Sequence, residues 1–170
     1  AGRLTINDQV ITVTGEISAN DAAQLSATTS GLLTATILET TVNDLMALSP
    51  DRNALTIRIT DSSVDAIDLP HLDFSTSLAI DASLVNEITG DSGLIYHVYR
   101  GMNNKFTGIE DANLTVTRDL DVFMANLLDA ETTGTVTGSI TSESVEILKT
   151  LTGVNAYNIT INTSDATSTT

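Results

Sequence analysis

Two histidines and a run of aspartates are the residues of this chain whose types could do chemistry. His71 lies in Leu69-Pro-His-Leu-Asp73, beside acids, and His97 lies between Tyr96 and Tyr99. An imidazole titrates near neutral pH and serves as a general base or a metal ligand. A serine hydrolase needs that base beside a nucleophile, and no Gly-x-Ser-x-Gly elbow is present. His71 therefore reads as a surface residue and His97 as a half-buried packing residue. Asp119 and Asp121 form a carboxylate pair of the kind that does acid–base work. With 22 acidic residues, however, chance pairs are expected. Asp61, Asp65, Asp68 and Asp73 are the densest acidic stretch, and carboxylate oxygens suit calcium. Their spacing lacks the Asp-x-Asp-x-Asp-Gly pattern of an EF-hand loop, so they read as a solvated acidic edge. No catalytic, cofactor-binding or metal-ligating residue is assigned, and the chain is read as a non-enzyme.

Hydroxyls are the other recurrent chemistry. Thr12-x-Thr14, Thr34-x-Thr36, Thr115-x-Thr117 and Thr137-x-Ser139 each place hydroxyls on one strand face, because side chains alternate. Adjacent parallel strands would turn these into ranks ~4.8 Å apart. Such an array resembles the flat faces of ice-binding solenoids, but Arg58, Asp81 and Asn158 interrupt the rows. Threonine also simply tolerates an exposed strand face. Asn113-Leu-Thr, Asn158-Ile-Thr and Asn162-Thr-Ser match the glycosylation acceptor pattern, a short motif that carries little weight alone.

The elements that must position these residues repeat. Residues 11–48 align without a gap on residues 114–151, with 13 identities in 38 positions at an offset of 103. Ile11-Thr-Val-Thr14 recurs as Leu114-Thr-Val-Thr117. Leu25-x-Ala27-x-Thr29-x-Gly31 recurs as Leu128-x-Ala130-x-Thr132-x-Gly134. Val42, Leu45 and Leu48 recur as Val145, Leu148 and Leu151. Strand-like runs begin near Val10, Leu32, Leu55, Leu78, Leu114, Thr135 and Tyr157, mostly at the 20–29-residue pitch of leucine-rich-type units. Between them lie helical stripes, with Thr40 or Thr41 and Ser142 as candidate caps. Leu94–Tyr99 read alone looks like a strand, but its place in the repeat favours a helix over residues 91–100 capped by Asp91 or Ser92, with Gly101–Gly108 a polar loop bulging from the stack. Short parallel crossovers place all seven strands in one sheet, in sequence order. The fold predicted is therefore α/β, a leucine-rich-repeat-like solenoid with one parallel β-sheet and short helices in the crossovers. Residues 1–162 form that single domain, and residues 163–170 a polar tail or linker. Equivalent leucines, Leu25 with Leu128 and Leu45 with Leu148, should all be buried.

Composition removes several functions. Seven basic against 22 acidic residues give a net charge of −15, the reverse of what a nucleic-acid partner requires. The same charge disfavours anionic membranes, and it attracts cations, so weak divalent cation binding is allowed. Cysteine is absent, which removes disulfides and thiolate metal sites. No apolar run approaches the ~20 residues of a transmembrane helix, and no signal peptide is visible. The chain begins at Ala1 and reads as processed or cut from something longer.

Thr132-Thr-Gly-Thr-Val-Thr-Gly138, Val145-x-x-Leu-x-x-Leu-Thr-Gly153 and Ala156-Tyr-Asn-Ile-Thr160 resemble repeat units of giant secreted cell-surface proteins, RTX-associated and adhesin-like, of marine bacteria and cyanobacteria. Phe74-Ser-Thr-Ser-Leu-Ala-Ile-Asp-Ala82 followed by Ile88-Thr-Gly90 is similar to another unit of those arrays. The resemblance spans roughly residues 10–162, and its motifs are degenerate patterns of Thr, Gly, Leu and Val. The Gly-Gly-x-Gly-x-Asp calcium nonapeptides of such proteins do not occur here. The resemblance implies a structural or adhesive module, extracellular or at the cell surface. Its partners would be neighbouring repeats or domains of a longer chain, and it supplies no catalytic residue. The alternative expectation is a ligand-binding surface for a cell-surface polysaccharide or, less favoured, ice.

Overall fold

The computed structural model describes residues 8–102, 104–141 and 144–161. The chain alternates strands and short helices, and every strand pairing is parallel. Strands β1 (Ile11–Ile17), β2 (Leu33–Ile37) and β3 (Ala54–Thr56) form a three-stranded sheet in that order. A five-stranded sheet runs from β4 (Ser63–Asp65) through β6 (Glu87–Gly90), β8 (Asn113–Asp119) and β9 (Val136–Thr141) to β10 (Ala156–Thr160). Strands β5 (Ile80–Asp81) and β7 (Phe106–Thr107) pair separately. Parallel bridges from Asn53 to Thr76 and from Arg58 to Asp81 tie the β3 region to the β5 region.

The expected single sheet is thus three. All seven expected strands exist, but β4, β6 and β7 were not foreseen. Each is two to four residues long, too short for alternation to show. The segment after β3 turns the chain sharply and lays down a second strand before its helix, which opens a second sheet.

Among the described residues six α-helices lie in the crossovers: α1 (Ala19–Ser26), α2 (Val42–Leu45), α3 (Leu69–Ser75), α4 (Ser92–Tyr96), α5 (Val122–Asp129) and α6 (Val145–Leu148). Ser18, Thr41, Asp91, Asp121 and Ser144 cap five of them, each side-chain oxygen accepting a first-turn N–H. Pro70 opens the remaining helix, α3, where a missing N–H costs nothing. Residues 91–100 are helical, with Asp91 as the cap, and α4 runs on into a π-turn over His97–Gly101. Ser142 falls outside the described residues, as do Asn162 and the segment 163–170.

Residues 101–108 do not bulge outward. Met102 and Phe106 are buried, and β7 continues the ladder against β5. Lys105 anchors the turn, donating to the Thr76 carbonyl at 2.6 Å and lying 3.7 Å from Asp73. The sequence between Met102 and Phe106 is polar, which hid this packing.

The core lies between the strands and the helices. Val64, Ile88, Leu114 and Val136 stand in register across four strands, all buried. Alternate residues point away from them, as strand geometry requires.

Two pairings follow one pattern. Ile11 faces Leu33 and Thr12 faces Thr34, then the register slips and Glu16 faces Thr36. Leu114 faces Val136 and Thr115 faces Thr137, then the register slips and Asp119 faces Ser139. Burial does not follow the same pattern. Leu45 and Leu128 are fully buried, whereas Leu25 and Leu148 are only partly covered. This departs from the expectation of equal burial, and position explains it. Leu25 follows β1 and Leu148 precedes β10, the outermost strands of their sheets among the described residues. A side chain at the end of a ladder has a neighbour on one side only.

Candidate functional site

The two histidines are kept apart from acids and exchange their expected environments. His71 is half-buried, and its Nε2–H donates to the Leu48 carbonyl at 2.9 Å, pinning α3 to the turn before β3. His97 is exposed on the π-turn. Its packing expectation fails because Tyr96 and Tyr99 sit on other faces of the helix. Neither histidine pairs with a carboxylate among the described residues.

The acidic residues are occupied individually. Asp61 accepts the Val42 N–H at 2.7 Å. Asp65 accepts the Ile67 N–H at 3.0 Å. Asp73 faces Lys105, and Asp68 precedes α3 without a side-chain capping bond. Asp119 accepts from the Thr141 hydroxyl at 3.0 Å, and Asp121 caps α5 through the Met124 N–H at 2.7 Å. Among the described residues no three His, Cys, Asp or Glu side chains converge as a metal-holding group. The Asp81 pKa is lowered because Ser83 donates to its carboxylate, with the Arg58 charge at 3.5 Å a smaller cause.

The hydroxyl rows form only in part. Thr12 pairs with Thr34, Thr36 with Thr56, and Thr89, Thr115 and Thr137 stand in one rank. Thr14 and Thr117 fall inside the register slips and extend no row. Gly15, at φ +91°, marks the first slip. The three-membered rank is not a free surface, because Thr115 donates to Glu87 at 2.8 Å.

A different polar set does the positioning, marked beforehand only by a repeated Thr-x-Gly. Thr132 donates to the Ala112 carbonyl at 2.6 Å and accepts the Gly134 N–H at 2.9 Å. Thr29 does the same between the Gln9 carbonyl, at 2.6 Å, and the Gly31 N–H, at 2.9 Å. Thr76, fully buried, donates to the Leu55 carbonyl at 2.7 Å and accepts its N–H at 3.0 Å. Asn53 and Asn155 accept the N–H groups of Leu33 and Val136 at 2.9 and 2.8 Å. These side chains satisfy backbone groups that the ladder leaves open at each corner.

Several concavities lie on the described surface. A pocket of about 220 Å³ beside the π-turn is lined by Tyr99, Arg100, Phe106, Glu110 and Glu131. Arg100 is engaged by Glu131 at 2.6 Å. The Tyr99 hydroxyl donates to the Ile109 carbonyl at 2.9 Å, and burial raises its pKa well above the ordinary value. More open concavities of about 350, 360 and 460 Å³ lie beside Asp91 and Arg118, beside Asp51 and Asn53, and beside Asp21 and Leu25. Apolar surface is more prominent. Val154, Ile159 and Ile161, at the β10 end, are exposed. Among the described residues no helix is long and apolar enough to cross a membrane.

No protein-family model matches this chain, and neither a curated protein nor a solved structure does so.

Proposed function

We propose that this chain is a structural and adhesive repeat module of a large extracellular or cell-surface protein, folded as an α/β solenoid and carrying no catalytic centre. One observation supports it above the rest. The segment β1-α1-β2-α2 and the segment β8-α5-β9-α6 share strand register, register slip, helix bounds and cap positions at a constant offset of 103 residues. Two copies of one unit, each giving neighbours on both sides a parallel edge, are what a one-dimensional stack requires. The polar groups that could act chemically are absorbed in caps and corners, which fits a scaffold. The secreted location is carried by the resemblance to surface-protein repeats and by the acidic charge.

The test is location. Antibodies raised against this chain should label intact cells of the source organism, and brief protease treatment of those cells should remove the label. Labelling that appears only after permeabilisation would overturn the reading. The ligand-binding alternative has the Thr89–Thr115–Thr137 rank in its favour, but Glu87 occupies its centre. A glycan array with saturable, competed binding would favour it over the scaffold.

A further inference from the structure

We propose that the cavity beside the π-turn binds a guanidinium group on a short alkyl stem, with Glu131 as its anchor and Arg100 holding the place when no ligand is bound. The site goes beyond the scaffold reading and does not depend on it.

The first observation is an asymmetry. In the Arg58–Asp81 and Lys149–Glu146 ion pairs both side chains are exposed, and in Lys105–Asp73 both are largely covered. Among the described residues only Arg100–Glu131 is mixed: the Glu131 side chain is 10% exposed and the Arg100 side chain 62%. A covered carboxylate is costly without a cation beside it. Here the cation reaches in from solvent through its Nε. A long, exposed side chain gains little from such a pairing and is easily displaced.

The repeat itself does not call for this carboxylate. The counterpart of Glu131 at the offset of 103 residues is Thr28, whose hydroxyl donates to the Leu25 carbonyl at 2.7 Å within its own turn. Glu131 instead faces the stretch between Leu78 and Leu114, which is longer than the other units and holds α4, the π-turn and β7. Extra length in a repeat often collects on a binding face, and single π-turns recur at functional sites.

The third observation is the space. About 220 Å³ lies open beside Glu131 with Arg100 in place, and Tyr99, Phe106 and Glu110 also line it. The Tyr99 hydroxyl is committed to the Ile109 carbonyl. Glu110 serves the Thr132 corner through its backbone carbonyl, not through its carboxylate. Burial is the main cause that raises the Tyr99 pKa, and the negative charges of Glu110, Glu131 and Asp111 add to it. Those acids therefore project their charge onto the cavity wall.

Chemistry selects the ligand. Neighbouring carboxylates call for a cation. An aromatic lining favours one that is planar and weakly hydrated, which describes a guanidinium better than an ammonium. The volume is below the ~300 Å³ of a drug-sized ligand site, so it suits a head group. Two sources carry that group: a small free alkylguanidine and an arginine side chain of a partner protein.

The experiment is a titration of the isotope-labelled whole chain, followed by amide NMR shifts, with ethylguanidinium, ethylammonium and the blocked peptide Gly-Arg-Gly at matched ionic strength. Ethylguanidinium should give saturable shifts centred on Tyr99, Arg100 and Glu131 in the range of ~0.1–30 mM, as expected of a weak site. Ethylammonium should give no more than added sodium does. Tighter binding of the peptide assigns the cation to a partner chain, and equal binding assigns it to a small molecule. Arg100→Ala removes the place-holder and should tighten binding about two- to fivefold, the size of an exposed ion pair. Glu131→Gln should abolish it, with thermal melts showing that the variant is folded. Glu110→Gln, at an exposed position, should weaken binding without touching the fold. The proposal is overturned by a parent chain and an Arg100→Ala variant that both show no saturable shift, by binding that survives Glu131→Gln, or by weaker binding in Arg100→Ala. Failed cell-surface labelling would leave this site standing, and absence of guanidinium binding would leave the location standing.

Discussion

Truncating equivalent leucines should have unequal costs, and the size of the inequality follows from position in the ladder. Leu45, the last residue of α2, is completely buried, and its counterpart Leu148 is only partly covered. Leu45→Ala removes three carbons from the core, about 2.4 kcal/mol at ~0.8 kcal/mol each. A residual cavity adds to this, giving ~3–5 kcal/mol in all. At Leu148 solvent already reaches part of the side chain and fills the space its loss would leave. The cavity contribution then vanishes, the transfer contribution is roughly halved, and about 1 kcal/mol remains. Urea melts followed by far-ultraviolet circular dichroism on the monomer would measure both, read as a midpoint shift at unchanged slope. Leu128→Ala and Leu25→Ala should repeat the contrast, with Leu128 the costly one. Equal losses at Leu45 and Leu148 would refute the reasoning, because they would mean that Leu148 is covered as well.

Three further outcomes are expected. A Cβ at Gly134 would sit 2.5 Å from the Ala112 carbonyl oxygen, and one at Gly31 would overlap the Gln9 carbonyl. Alanine should cost ~1–3 kcal/mol as overpacking at either site, more at Gly134 because Ala112 is interior while Gln9 lies near a ladder end, and equal or negligible losses in urea melts would count against this. Burial, with the nearby Asp129, pushes the Tyr157 phenol up to about 12. That stability is fully present below ~10, the ordinary tyrosine value, and is lost as pH rises through about 12, so Tyr157→Phe should flatten the alkaline decline in melting temperature. Matched ionic strengths of sodium, magnesium and calcium chloride should raise the melting temperature by similar amounts through screening of the −15 charge, whereas a large rise with micromolar calcium alone would reveal a dedicated site.

What was legible in the sequence is the part that rests on long-period pattern. The 103-residue offset located α2, α6 and the strands β1, β2, β8 and β9, because apolar stripes and strand-like runs recur together, whereas α1 and α5 were not read as helices. The helix after Asp91 was legible from its cap, although Leu94–Tyr99 reads equally as a strand. Strands β4, β6 and β7 were not legible, since a strand of two to four residues carries no period. The environments of the histidines were not legible either. His71 is held by a carbonyl 23 residues away, a contact that no local spacing encodes. The buried corner residues Asn53, Thr76 and Thr132 looked like ordinary loop polar residues. Their role exists only because the next strand starts beside them, so only a repeated motif such as Thr-x-Gly hints at it. Burial at Leu25 and Leu148 failed for the same kind of reason: a repeat in sequence fixes the unit, while cover depends on what stands next to it.

The acidic charge and the open ends belong to one physical problem. An exposed strand edge invites pairing with another chain, and proteins usually blunt it with lysine, proline or a bulge. Neither β1 nor β10 contains lysine or proline. The register slip in β1 lies between Thr12 and Glu16, away from Ile11. Local protection is therefore weak at both ends, yet the chain carries 22 acidic against 7 basic residues. Like charge spread over the whole molecule keeps copies apart when ions are scarce, and that repulsion fades beyond a Debye length of ~8 Å at physiological ionic strength. The apolar contact at the ends is short-ranged and gains nothing from dilution of salt. The balance between charge repulsion and apolar contact at an exposed strand edge therefore turns on ionic strength.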